Sequence, residues 1–301
     1  MAKANNVRRG VLLTLLGGTC WGFSGTCAKF LMDGYGVTPL WLLCVRQLTA
    51  SLLFFVYVFA APRERERFAE LGETVRTSPK SSGIGLFFVT AFCMMINSLS
   101  YIMTIKITNS ATATVLQALS LILLMIFSCA VAKRLPRRRE SLGLALALGG
   151  TFLLATGGDP SKLAMPLNGL LWGFATAATY AIYSAVPAKI LEKWGSPVVN
   201  AISMLISGGG LAVLIHPWEN VPVFDFAGIV ALVAISVVGS FLAYAFYMQG
   251  VKDLGPLRAN MLGTSEPISA TIFSVLWLGT SFSPTDLIGF AMIITMVYLT
   301  A

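Results

Sequence analysis

Long apolar runs separated by short polar interruptions repeat along nearly the whole chain, most of them close to the roughly 17 to 25 residues that carry a helix across a bilayer. Ten can be drawn, at 10–32, 39–60, 83–105, 110–132, 142–157, 166–190, 197–215, 226–250, 256–278 and 284–301, the fifth and tenth being short. Pro39, Pro166, Pro197, Pro256 and Pro284 stand at or near run starts, where a residue lacking an N–H fits the first helical turn. The pattern predicts an all-α membrane protein of ten transmembrane helices. The last run stops at Ala301, so a few native residues are expected beyond it.

Composition agrees: 56% of the 301 residues are hydrophobic and 11% charged, against about 25% charged in soluble domains. The net charge of +8 could suit a nucleic-acid partner, but the basic residues lie in short loops between apolar runs, where they orient a chain in a membrane. No nucleic-acid partner is expected. With the N-terminus inside, 17 of the 21 Lys and Arg fall on one side, only Lys106 and Lys162 on the other, and Lys29 and Arg46 within runs. The positive-inside rule then places both termini in the cytoplasm. Lys3, Arg8 and Arg9 before the first run resemble a signal sequence, but the run is long for one and nine more follow, so it reads as a retained helix. All five cysteines lie inside runs, as packing residues rather than a disulfide framework. The mixed-charge stretch 63–80 reads as a solvated cytoplasmic loop or surface helix.

The linker 158–165 divides the runs five and five, and landmarks recur in the same order on either side. The first half opens with Gly17, Gly18, Trp21, Gly22 and Gly25 and the second with Trp172 and Gly173; the fourth helix of each half starts with small and polar residues, and Gly143 answers Gly289. Because five is odd, a second copy must enter the membrane upside down, which predicts two inverted five-helix repeats, 1–157 and 166–301. Gly143, Ala147 and Thr151 permit close packing on the fifth helix, compatible with a monomer or a homodimer.

These landmarks resemble the drug/metabolite transporter superfamily, in its ten-helix EamA-type branch. The resemblance spans essentially the whole chain and rests on Trp21-Gly22, Arg46 in the second helix, Glu266-Pro267 in the ninth, and a Gly in the last helix of each half. Where the family usually carries a Glu near the ends of the fourth and ninth helices, this chain has approximately Lys133 and Thr280, and a common fourth-helix Pro is Ser120. The resemblance implies alternating-access transport of small organic solutes in a bacterial inner membrane, most often export of amino acids or related metabolites. Uptake or exchange of cationic, choline-like amines is the second reading.

Glu266 is a carboxylate roughly midway along the ninth run, and such a group costs about 2.5 to 3.5 kcal/mol at the midplane unless it faces a cavity, a partner or a pathway. It can bind a substrate amine, carry a proton in exchange, or serve the frame by accepting hydrogen bonds or pairing with Arg46. Pro267 is expected to bend the helix and free a carbonyl one turn earlier, as a gating element or a tolerated kink. Arg46 can hold a carboxylate or snorkel to the interface. Candidate lining residues are Trp21, Ser24, Arg46, Asn97, Tyr101, Trp172, Thr176, Tyr180, Tyr183, Tyr244, Asn260 and Glu266, the second, fifth and tenth helices being plainer. Trp172, Thr176, Thr179 and Tyr183 share one helical stripe, whereas Asn260 and Glu266 fall on different sides of the ninth helix. Aromatic walls with one carboxylate favour an amine-bearing solute. There is no phosphate loop and no clustering of His and Cys, so neither cofactor, metal nor catalytic machinery is expected.

Overall fold

The computed structural model describes residues 2–78, 83–255, 258–259 and 262–300, which are helical with no strand among them. The helices are α1 (Ala2–Gly34), α2 (Pro39–Ala60), α3 (Pro62–Thr77), α4 (Ile84–Ile107), α5 (Ser110–Ala118), α6 (Ser120–Val131), α7 (Arg138–Thr156), α8 (Leu167–Ala185), α9 (Ala188–Trp194) and α10 (Ser196–Ile215). There follow α11 (Phe226–Ala234), a π-helical segment (Ile235–Leu242), α12 (Ala243–Leu254), α13 (Ser265–Leu278) and α14 (Pro284–Thr300). Six spans among the described residues are long and apolar enough to cross a membrane, and α8 with α9, bent by 45°, adds a seventh if the pair is counted as one span. The remaining runs also fall on helices. However, α7 carries Arg138, Arg139 and Glu140 in its first turn, and α13 and α14 have only 14 and 17 residues.

Local chemistry sets the ends. Thr38 accepts from the Trp41 N–H at 3.3 Å ahead of Pro39, Asn109 from Thr112 at 2.8 Å, and Asp225 from Gly228 at 2.9 Å, each satisfying an N–H that a helix start leaves unpaired. Gly157 and Gly279 close α7 and α13 at φ +63° and +64°, a left-handed geometry that glycine adopts without strain. The 63–80 stretch resolves in favour of a surface helix as far as Thr77: α3 lays Phe68, Leu71 and Val75 on a core containing Val58, Trp194 and Val198.

Three runs expected to be single helices are interrupted, the sixth where α8 bends by 45° into α9. The fourth divides at Leu119, whose N–H bonds to Leu116 O at 3.1 Å in a tightened turn. The ninth turns at 263–264, and α13 restarts at Ser265. Pro267 therefore does not kink the middle of a helix but sits in a first turn, where its missing N–H is tolerated. The carbonyl it leaves free, Gly263 O, accepts from the Glu266 N–H at 3.0 Å.

Two apolar cores flank the centre. One gathers Cys27, Leu31, Leu42, Ile102 and Ile235. The other joins Leu116, Ile122, Ala147, Leu154, Ile293 and Val297. Close helix approaches are set by glycine. A Cβ on Gly22 would lie 2.2 Å from Ser269 Oγ, and one on Gly239 would lie 2.0 Å from Ser24 Oγ.

Candidate functional site

A cavity of about 230 Å³ lies among the helices. Its polar lining comes from α1 (Trp21, Ser24), α2 (Arg46, Gln47), α4 (Asn97, Ser98, Tyr101), α5 (Gln117), α8 (Tyr180, Tyr183), the π-helical segment (Ser240), α12 (Tyr244, Tyr247) and α13 (Glu266). Toward α9 the wall continues through Pro187, Leu191, Met204 and Met248.

Trp21 is wedged between two tyrosines, edge-on to Tyr244 at 5.2 Å and tilted to Tyr247 at 5.1 Å. The next residue, Gly22, lets α1 approach α13, and that contact brings the Glu266 turn beside the indole. Glu266 accepts one hydrogen bond from the Tyr101 hydroxyl, long at 3.4 Å.

Arg46 donates from Nε to Ser240 Oγ at 2.9 Å, and Ser240 in turn donates to Ile235 O at 3.1 Å, five residues back. Thr49 reaches Ser236 Oγ at 2.8 Å. The wider π-helical turn thus turns two serines toward α2 and anchors the arginine through Nε. Arg46 makes no ion pair and no second hydrogen bond among the described residues, which leaves its terminal nitrogens available on the cavity wall. The alternative of an Arg46–Glu266 structural pair is not formed.

Ten expected residues, Trp21, Ser24, Arg46, Asn97, Tyr101, Tyr180, Tyr183, Tyr244, Glu266 and Pro267, come together around this cavity or the smaller chamber behind Glu266. Pro267 lines only the smaller one. Trp172 and Thr176 do not line either chamber. Thr176 is fully buried, bonded to Trp172 O at 2.9 Å and 3.1 Å from Thr104 Oγ1 of α4. A Cβ on neighbouring Gly173 would meet Leu116 at 2.3 Å. This end of the stripe is helix–helix contact, and only its other end, beyond Thr179, reaches the cavity. Thr179 itself donates to Asn97 Oδ1 at 3.3 Å. Asn260 lies outside the described residues.

Sequence reasoning passed over Gln47 and Ser240. The second helix looks plain because its polar pair, Arg46 and Gln47, is embedded in leucine and aromatic residues. Ser240 sits in an apolar stretch whose helical phase the π-helical turn shifts, so no periodic signal marked it.

The smaller chamber, about 90 Å³, shares Trp21, Gln117, Tyr180, Tyr247 and Glu266 with the larger one. It lies between the break at Leu119 and the turn at 263–264, against Ile293, Ile294 and Val297 of α14.

The model of the EamA-like transporter family matches this chain twice, at residues 8–156 and 167–301. The uncharacterized inner membrane transporter YicL of Salmonella typhimurium is 29% identical over 298 residues, covering 98% of this chain and 95% of that protein. The uncharacterized transporter YwfM of Bacillus subtilis is 24% identical over 208 residues, covering 69% and 70%. A crystal structure with 20% sequence identity superposes with a TM-score of 0.61 over 95% of each chain, a likeness of fold.

Proposed function

Because this chain, a multi-pass membrane protein, belongs to the EamA-like transporter family, we propose that it moves a small amine-bearing solute, an amino acid or related metabolite, out across the cell membrane by alternating access. The observation that carries this reading is that an unpaired guanidinium, Arg46, and a carboxylate, Glu266, line one solute-sized cavity without pairing to each other. A zwitterion offers the complement to both. Its carboxylate takes the free fork of Arg46, and its ammonium takes Glu266 and the faces of Trp21 and the surrounding tyrosines. Glu266 is also placed to exchange a proton for the amine. The aromatic walls favour a second reading, an importer or exchanger of choline-like cations, in which Arg46 has no partner on the solute.

Two features support alternating access. α2 packs on α10 and α7 on α14, while the contacts of α1 with α12 and α13 are mirrored by those of α8 with α4 and α5. This is the pairing that two inverted five-helix repeats would make, and the family model matches each half separately. The cavity wall also runs toward α9 and the basic side of the chain. On the opposite side Tyr35 donates to Asp225, and Trp41 Nε1 donates to Pro217 O at 2.9 Å. If both termini are cytoplasmic, as the charge distribution predicts, this arrangement would face inward.

Purified protein in liposomes, given a panel of labelled amino acids and quaternary amines with and without a pH gradient, tests the proposal. Gradient-dependent flux of amino acids supports it. Flux of choline-like cations alone supports the second reading, and absence of flux for both classes refutes both.

A further inference from the structure

We propose that the chamber behind Glu266 is a subsite for a short aliphatic tail of the solute, so that this protein selects amine-bearing solutes by the length of their hydrocarbon chain. The inference rests on the amine-solute reading above and adds to it where the rest of the solute lies.

The two chambers divide their walls by chemistry. Arg46 and Gln47 line only the larger, Glu266 lines both, and Ile293, Ile294 and Val297 line only the smaller. A solute lying across the junction meets a cationic donor, then a carboxylate, then hydrocarbon. That order matches a carboxylate, an ammonium and an aliphatic tail.

Two hydroxyls of the smaller chamber are engaged within the protein. The Thr114 hydroxyl donates to Ala111 O at 2.9 Å, and Thr264 Oγ1 lies 3.0 Å from Tyr298 Oη, so both groups are already engaged. Apart from these and the shared junction residues, Ser120 is its one hydroxyl, among Val115, Ala118, Leu121 and the α14 side chains. An apolar cavity of about 150 Å³ takes benzene. At about 90 Å³ this one suits a tail of roughly three to four carbons.

The chamber lies where two helices carry local irregularities. α5 stops at Ala118, the ninth run turns at 263–264, and α14 packs against α5 across the gap. Water occupying the same space, serving only as proton access to Glu266, is the competing use, and the test separates the two.

The probes are the straight-chain L-α-amino acids alanine, 2-aminobutyrate, norvaline and norleucine, titrated into full-length protein in detergent and counter-transported in liposomes. Each buried methylene is expected to raise wild-type affinity about fourfold until the chamber is full, after which affinity levels off or falls. Ala118→Leu, which narrows the chamber, should flatten that dependence, and Ile293→Ala, which enlarges it, should extend it by a carbon or more. The two variants change volume in opposite senses, so a shared loss of stability cannot imitate both results. If the wild type binds the series with no dependence on chain length, or if both variants shift every member equally, the subsite is refuted while the amine-solute reading stands. If the wild type binds no member of the series, the subsite is refuted, and the wider amino-acid and amine panel decides the amine-solute reading.

Discussion

Glu266 occupies the second position of α13, beside the cavity and within reach of Tyr101. Glu266→Gln keeps size and the acceptor for Tyr101 but removes the charge. It is expected to cut amine flux at least about tenfold, the scale of one charge-assisted hydrogen bond, with an unchanged melting temperature in detergent. Wild-type flux in this variant, or failure to fold, would assign the residue to the frame. Arg46→Lys keeps charge but loses both the fork and the Nε bond to Ser240. Half-saturation should rise about tenfold for carboxylate-bearing solutes and much less for simple alkylamines, measured by competition in liposomes. The charged groups themselves were legible in the sequence because ionised side chains are rare in apolar runs. Gln47 and Ser240 were not, since an amide and a hydroxyl carry no charge and their roles come from a neighbouring helix.

Among the elements, the π-helical segment and the turns at Leu119 and 263–264 shape the site. The π-helical turn rotates Ser236 and Ser240 toward α2, and Gly239 lets α1 pass against it at Ser24. Gly239→Ala would gain up to about 1 kcal/mol of helix propensity but places a methyl 2.0 Å from Ser24 Oγ. Overpacking of about 1 to 3 kcal/mol should win and lower the melting temperature. Adding Ser24→Gly, which removes the clashing side chain, should recover most of that loss; without recovery, the close approach is not the cause. At the start of α7, Arg134 grips Glu140 with Nη1 at 2.7 Å and Nη2 at 2.8 Å, and the Arg137 N–H donates to the same carboxylate. These donors push the Glu140 pKa down to about 2. A depressed carboxylate contributes stability that is complete above its unfolded pKa of about 4.3 and is lost as pH falls toward the folded value. Glu140→Gln should therefore melt lower than wild type at pH 7, with the gap closing between about pH 4 and pH 2, as followed by thermal unfolding. Helix existence was readable from apolar length; the breaks at Leu119 and 263–264 were not, because neither site carries a proline that forces one.

For the whole molecule, the proposed topology places α3, α9 and both termini on one side and the Tyr35–Asp225 contact on the other. A fluorescent protein active only in the cytoplasm should report from either terminus. A phosphatase active only outside it should be silent at both ends and active when inserted at 158–162. The reverse pattern at either terminus would overturn the orientation and the inward-facing assignment with it. What the amino-acid sequence determined by itself was a helical, multi-pass membrane chain with a family resemblance. Length of apolar run, charge between runs and the order of landmarks are local or cumulative properties that need no knowledge of neighbours. What only the tertiary structure decided was which side chains share a space. Trp172 and Thr176 lie on the expected helix face but at a depth where α4 and α5 pack against it, while Tyr180 and Tyr183, a turn or two further on, line the cavity. Helical periodicity specifies direction around an axis, but whether that direction meets a helix or a cavity depends on the other helices at the same depth.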